Sequence, residues 1–173
     1  MRAILIGFMG SGKTTVGRLL AAALATKHAD LDDLIVQRAG QPITAIFDQH
    51  GEAYFRQLEQ RTLANAIHQP GILSTGGGTP TIDSNAAILT ASPVPVIWLE
   101  ASDQTILQRV QNDDQRPLVN ELDTQALLAL KQRRAALYAR AADLVIQTDQ
   151  LAPQQIVTRI QTWLGERRVA AQA

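Results

Sequence analysis

Residues 7–14 read Gly-Phe-Met-Gly-Ser-Gly-Lys-Thr. This is the G-x-x-x-x-G-K-[ST] spacing of a phosphate-binding loop. Its glycines let the main chain curl until successive N–H groups point at phosphate oxygens. A helix opening near Lys13 adds the positive end of its dipole. In that arrangement Lys13 reaches the β- and γ-phosphates, and the Thr14 hydroxyl ligates Mg²⁺. The competing reading is a chance pattern in a strand–helix turn. An apolar run before the loop and a helical pattern after it weigh against chance. The motif does not say what receives the phosphoryl group.

Four further groups bear on the acceptor. Asp30 and Asp32 stand two apart at the expected exit of a strand. In an extended chain they point the same way, one toward a metal and the other toward an acceptor hydroxyl. Equally, Asp32 or Asp33 could simply cap a helix starting there. Arg56 and Glu59 share one helical face, as a surface ion pair would. Gly76-Gly77-Gly78 closes a strand, where a ligand can approach bare main chain; a flexible turn is the alternative. Arg116 lies in the polar stretch 112–123 and could close over a transferred phosphate, or be solvated. Arg133, Arg134 and Arg140 follow on a long helix. Such a run is usually a solvated face, but one inward arginine could fork onto a carboxylate.

These residues need elements to hold them. Short apolar runs at Ala3–Ile6, His28–Ala29, Ile72–Thr75, Val94–Leu99 and Leu144–Ile146 read as strands. Helical spacing is expected over 13–24, 32–39, from Pro42 to about 49, over 52–67, from Asp83 or Ser84 to 89, from a Ser102 cap toward 112, over 124–141 and over 153–164. The tail after Arg168 is expected to fray. Alternation of β and α predicts a mainly parallel sheet covered by helices on both faces.

The chain has 173 residues, enough for one domain with its own core. Sixteen basic residues balance sixteen acidic ones, which argues against a basic nucleic-acid binder. With 46% hydrophobic residues it is not a disordered chain. It has no cysteine, which excludes disulfides and thiolate metal sites and suits a reducing compartment. No apolar run approaches a membrane span. Ala3–Ile6 leads straight into Gly7, without the longer apolar stretch of a signal peptide, so the mature protein is expected to start at Met1.

Taken together, the motifs resemble those of the shikimate kinases. The likeness runs from about Arg2 to Leu164. It is carried by residues 7–18, Asp30-x-Asp32, Gly51-Glu52 with Phe55-Arg56 and Glu59, Gly76-Gly77-Gly78, Arg116-Pro117-Leu118, and Arg134 four residues before Tyr138. The resemblance implies a three-layer α/β/α fold like that of the nucleoside monophosphate kinases, with a five-stranded parallel sheet. The whole chain, 1–173, is then a single kinase domain, with a lid at about 112–123 and an acceptor-binding region at about 30–60. It implies ATP-dependent phosphorylation of the 3-hydroxyl of shikimate, with Mg²⁺, in a cytoplasmic monomer that binds no nucleic acid or membrane. A kinase of a related small molecule such as gluconate is the alternative. ATP would meet Gly10, Ser11, Gly12, Lys13, Thr14, Thr15, Arg109 and Arg116. Shikimate would meet Asp32, Arg56, Gly77, Gly78 and Arg134. Thr14 and Asp30 would hold the metal, and Lys13, Asp32 and Arg116 would be catalytic. One departure is local: Ala135-Ala136 stands where the family often has Asn-Pro.

Overall fold

The computed structural model describes residues 2–111 and 124–170. Its centre is β1 (Ala3–Ile6), four apolar residues that are all buried. A strand covered on both faces needs such a continuous apolar run. β3 (Ile72–Ser74) pairs on one side of β1 and β4 (Val96–Glu100) on the other. β2 (His28–Asp30) adds beyond β3, and β5 (Leu144–Gln147) beyond β4. Every pairing is parallel, and the order is β2-β3-β1-β4-β5. The expected five-stranded parallel sheet is the observed one.

The period-2 alternation of strand side chains divides the interior into two cores. Ile4, Ile6, Val96 and Trp98 face one side. Ala3, Leu5, Ile97 and Leu99 face the other. The second core is closed by α1 (Lys13–Ala23) and α7 (Pro153–Ala170), through Val16, Leu20, Ile156 and Ile160. The first is closed by α2 (Leu31–Ala39), α3 (Ile43–Ala66), α4 (Asp83–Ala91), α5 (Asp103–Gln111) and α6 (Thr124–Ala141). The connection leaving β1 runs toward β2, and the one leaving β4 runs the opposite way to β5. A reversal of this kind opens a crevice at the carboxyl ends of the strands. The glycine-rich loop emerges there.

Several boundaries differ from the sequence reading, each for a physical reason. The two helices expected on either side of Gly51 are both present, broken at that residue by a non-helical kink (φ 75°, ψ 176°), and α3 names the pair. Pro42 is not in the first turn of α3: it is extended and precedes the helix. Neither Asp83 nor Ser84 caps α4; Ile82 occupies that position. β4 begins after Pro95, because Pro93 and Pro95 have no N–H to give to a ladder. The final helix does not fray at Arg168. It continues to Ala170, and Arg167 ties it down by pairing with Asp143 at 3.0 Å and lying over the Trp163 ring. Arg116 and the expected lid at 112–123 lie outside the described residues.

One contact sets how closely α1 approaches the sheet. A Cβ at Gly17 would lie 2.6 Å from the His28 ring and 2.8 Å from Ser74 Oγ. The His28 Nε2 is 2.9 Å from Ser74 Oγ, which donates to the Lys13 carbonyl at 3.1 Å. This chain ties β2 and β3 to the first turn of α1. Gly17→Ala is therefore expected to cost about 1–3 kcal/mol by overpacking, measured as a lower denaturation midpoint.

Candidate active site

The carboxyl ends of β1, β2 and β3 open into a cleft of about 440 Å³. Met9, Gly10, Gly12, Lys13, Thr14 and Thr15 form one wall, Asp30 and Asp32 a second, and Thr75, Gly76 and Gly77 a third, with Arg109 at the margin. Gly12 caps α1 in the left-handed region (φ 93°), and no side chain covers that end. The first N–H groups of α1 therefore face the cleft, as anion binding at a helix start requires. Gly7 is demanded by space as well as by its φ of 144°: a Cβ there would lie 2.5 Å from the Leu99 carbonyl oxygen. Lys13 Nζ donates to the carbonyls of Gly7 and Phe8 at 2.9 Å each. Arg109 donates to the Gly10 carbonyl at 3.1 Å, so α5 braces the loop from the far side. Ser11 differs from its neighbours: its side chain is buried, and among the described residues its hydroxyl has no partner.

The two aspartates do separate jobs. The helix-cap reading is correct in kind but falls on a different residue. Asp30, not Asp32 or Asp33, caps α2, its Oδ1 accepting from the Asp32 N–H at 3.1 Å. Its other oxygen, Oδ2, accepts from the Thr14 hydroxyl at 3.2 Å. Asp32 sits in the first turn of α2 rather than in an extended strand, so the turn, not strand alternation, brings both carboxylates to one cleft. Burial, followed by the nearby charges of Asp30 and Glu59, pushes the Asp32 carboxyl up to about 6. Thr14 and Asp30 are hard oxygen donors side by side, a set that suits Mg²⁺ shared with phosphate oxygens. Among the described residues no cluster of three or more His, Asp or Glu side chains forms an all-protein cage.

The triple glycine is where the acceptor-side residues meet. A Cβ at Gly76 would lie 2.9 Å from Asp32 Oδ1. One at Gly77 would lie 3.5 Å from the Met9 nitrogen and 3.8 Å from the Arg134 guanidinium. One at Gly78 would lie 3.3 Å from the Arg56 guanidinium. Three side chains from three helices therefore stand against this turn. Arg134 lies over the Phe8 ring of the phosphate loop, 5.8 Å from its centroid. Arg56 and Arg134 stand beside the cleft wall rather than in it.

Sequence reasoning undervalued Glu59. The expected surface pair is half wrong: Arg56 does bind Glu59 at 3.0 Å, but the Glu59 side chain is only 2% exposed. It also accepts from the Thr79 hydroxyl at 2.8 Å and from Asn85 Nδ2 at 3.0 Å. Only the fold brings Thr79 and Asn85 to α3. Tyr138 was likewise noted only by its spacing; its hydroxyl donates to the Gly77 carbonyl at 2.6 Å.

An Asp32 carboxyl near 6 gives a definite pH profile. If Asp32 receives or orients the acceptor proton, kcat/KM falls as pH drops below about 6, where the group is protonated. Asp32→Asn is expected to lose about 10²–10⁴-fold in kcat. The folded state holds this proton more tightly than the unfolded chain, so ionisation costs stability as pH rises through about 6. Asp32→Asn should therefore melt roughly 2–4 °C above the parent at pH 8, checked by paired kinetics and calorimetry.

Comparison with known proteins gives the family. The family model for shikimate kinase matches residues 9–165. A shikimate kinase of Limosilactobacillus fermentum is 43% identical over 165 residues, covering 95% of each chain. One from Sulfurihydrogenibium is 40% identical over 164 residues, covering 94% of this chain and 97% of that one. Among solved structures, the shikimate kinase of Acinetobacter baumannii in complex with shikimate superposes with a TM-score of 0.86 at 33% identity, covering 95% of this chain and 93% of that chain. The chain belongs to the shikimate kinase family.

Proposed function

We propose that this protein transfers the γ-phosphoryl group of ATP to the 3-hydroxyl of shikimate, giving shikimate 3-phosphate and ADP. The observation that carries the reading is a phosphate loop and a raised-pKa aspartate in one cleft, with two arginines meeting at a side-chain-free turn. The acceptor hydroxyl oxygen forms a bond to the γ-phosphorus as the bond to the β–γ bridging oxygen breaks. Asp32 orients that hydroxyl and takes its proton. Lys13, with the main-chain N–H groups of 10–15, steadies the phosphates. Arg56 and Arg134 grip the shikimate carboxylate, with Gly77 and Gly78 close to the ring. Arg109 lies on the nucleotide side, and Arg116 supplies charge to the transferred group. Thr14 and Asp30 would hold Mg²⁺, which neutralises phosphate charge when bound. The enzyme is a monomer of the cytoplasm in this reading, a compartment that a cysteine-free chain suits.

A carboxylate gripped by a planar, multidentate cation loses much when that cation is truncated. Arg134→Ala and Arg56→Ala should each raise KM for shikimate about 10–100-fold, and leave KM for ATP within about twofold, where uniform binding to the nucleotide is untouched. ADP release, measured with shikimate and with gluconate as acceptors, should respond to shikimate alone. Equal turnover of gluconate would overturn the acceptor assignment.

A further inference from the structure

Tyr138 joins two acceptor-side elements. It is almost fully buried on α6, 1% exposed, with its ring 5.7 Å from that of Trp98. Its hydroxyl donates to the Gly77 carbonyl at 2.6 Å. Arg134, one turn earlier on α6, has its guanidinium 3.8 Å from where a Gly77 Cβ would stand. The phenol and the guanidinium therefore meet at the same glycine, side by side on one face of α6.

Among the described residues, a cavity of about 210 Å³ borders Tyr138, with Phe8, Trp98 and Ala135 also on its walls. A neighbouring void means fewer partner atoms on that side. The hydroxyl contact to Gly77 adds a directional reference to this packing. Burial pushes the phenol up to about 12, so it keeps its proton and remains a donor at any pH where the enzyme works.

We propose that Tyr138 is a positioning residue, locking the Arg134 guanidinium to the Gly77 main chain so that the two present one preformed carboxylate-and-ring site. It acts through Arg134 and the glycine turn, without touching the acceptor. The inference rests on Arg134 being a carboxylate contact.

Tyr138→Phe keeps the ring and its packing and removes only the hydroxyl. Its expected effect is a rise of about three- to tenfold in KM for shikimate, with KM for ATP unchanged and the melting temperature close to that of the parent. In an Arg134→Ala background the same change should add clearly less, because there is no guanidinium left to place. A wild-type shikimate KM in Tyr138→Phe would overturn the inference. So would an equal loss in both backgrounds, or a matching rise in KM for ATP, which would indicate a general loosening of the loop. If Arg134→Ala itself leaves shikimate binding intact, the carboxylate assignment fails instead. The four kinetic profiles separate these two outcomes.

Discussion

At Gly76, Gly77 and Gly78 the main chain itself is the surface of the site. Asp32, Arg134 and Arg56 come from three different helices and close on this turn; a methyl group would crowd Asp32 at Gly76 and press on Arg56 at Gly78, while at Gly77 it would only touch Arg134. None of the three glycines needs a positive φ, so at Gly76 and Gly78 the requirement is space rather than backbone freedom. The turn follows directly from β3, which is paired to β1 and β2 on either side. Its position is therefore as fixed as the sheet. The phosphate loop approaches the same turn from the opposite direction, with the Met9 nitrogen 3.5 Å from where a Gly77 Cβ would stand. Donor and acceptor halves are thus referred to one rigid segment. Phosphoryl transfer needs this, since it is mostly positioning and charge neutralisation.

The cost of such convergence is charge withdrawn from water, and the buried Glu59 and half-buried Asp32 are treated differently. Glu59 is given three donors, from Arg56, Thr79 and Asn85. A buried carboxylate satisfied in this way stays put, and it ties α3 to the turn after the glycines and to α4. Asp32 is left under-compensated: its own burial, with Asp30 and Glu59 nearby, outweighs the opposing pull of Lys13. A group whose task is to take a proton near neutral pH benefits from that imbalance. The structural carboxylate and the one proposed to take the proton are set apart by what surrounds them.

The fold was legible because its signals are local. Ala3–Ile6 followed by glycine, the helical period from Lys13, and the β–α alternation each state one element without reference to distant residues. The phosphate loop is legible for the same reason, since loop, lysine and threonine are contiguous. The misreadings cluster where partners are far apart in the chain. Asp30 rather than Asp32 is the cap because Thr14, sixteen residues earlier, holds its second oxygen. Glu59 looked like half of a surface pair because Thr79 and Asn85 lie 20 and 26 residues away. The link from Tyr138 to Gly77 spans 61 residues. No periodicity within α6 could reveal it.

A net charge of zero does not describe the site, and the choice of cation shows how it is assembled. Thirteen of the sixteen basic residues are arginine. Arg56 directs Nε and one terminal nitrogen at Glu52 and the other at Glu59, while its guanidinium also lies against Gly78. Arg109 spends one terminal nitrogen on the Gly10 carbonyl at the cleft margin. A planar fork with five donors can be anchored by some of them and still present the rest. A lysine concentrates its donors on one rotating nitrogen and cannot do both in a fixed direction. Lys13 is used where a point charge suffices, at the phosphate loop. The arginines stand where an orientation is held in advance: Arg56 by Glu52 and Glu59 of its own helix, Arg109 by the Gly10 carbonyl, and Arg134 over the Phe8 ring.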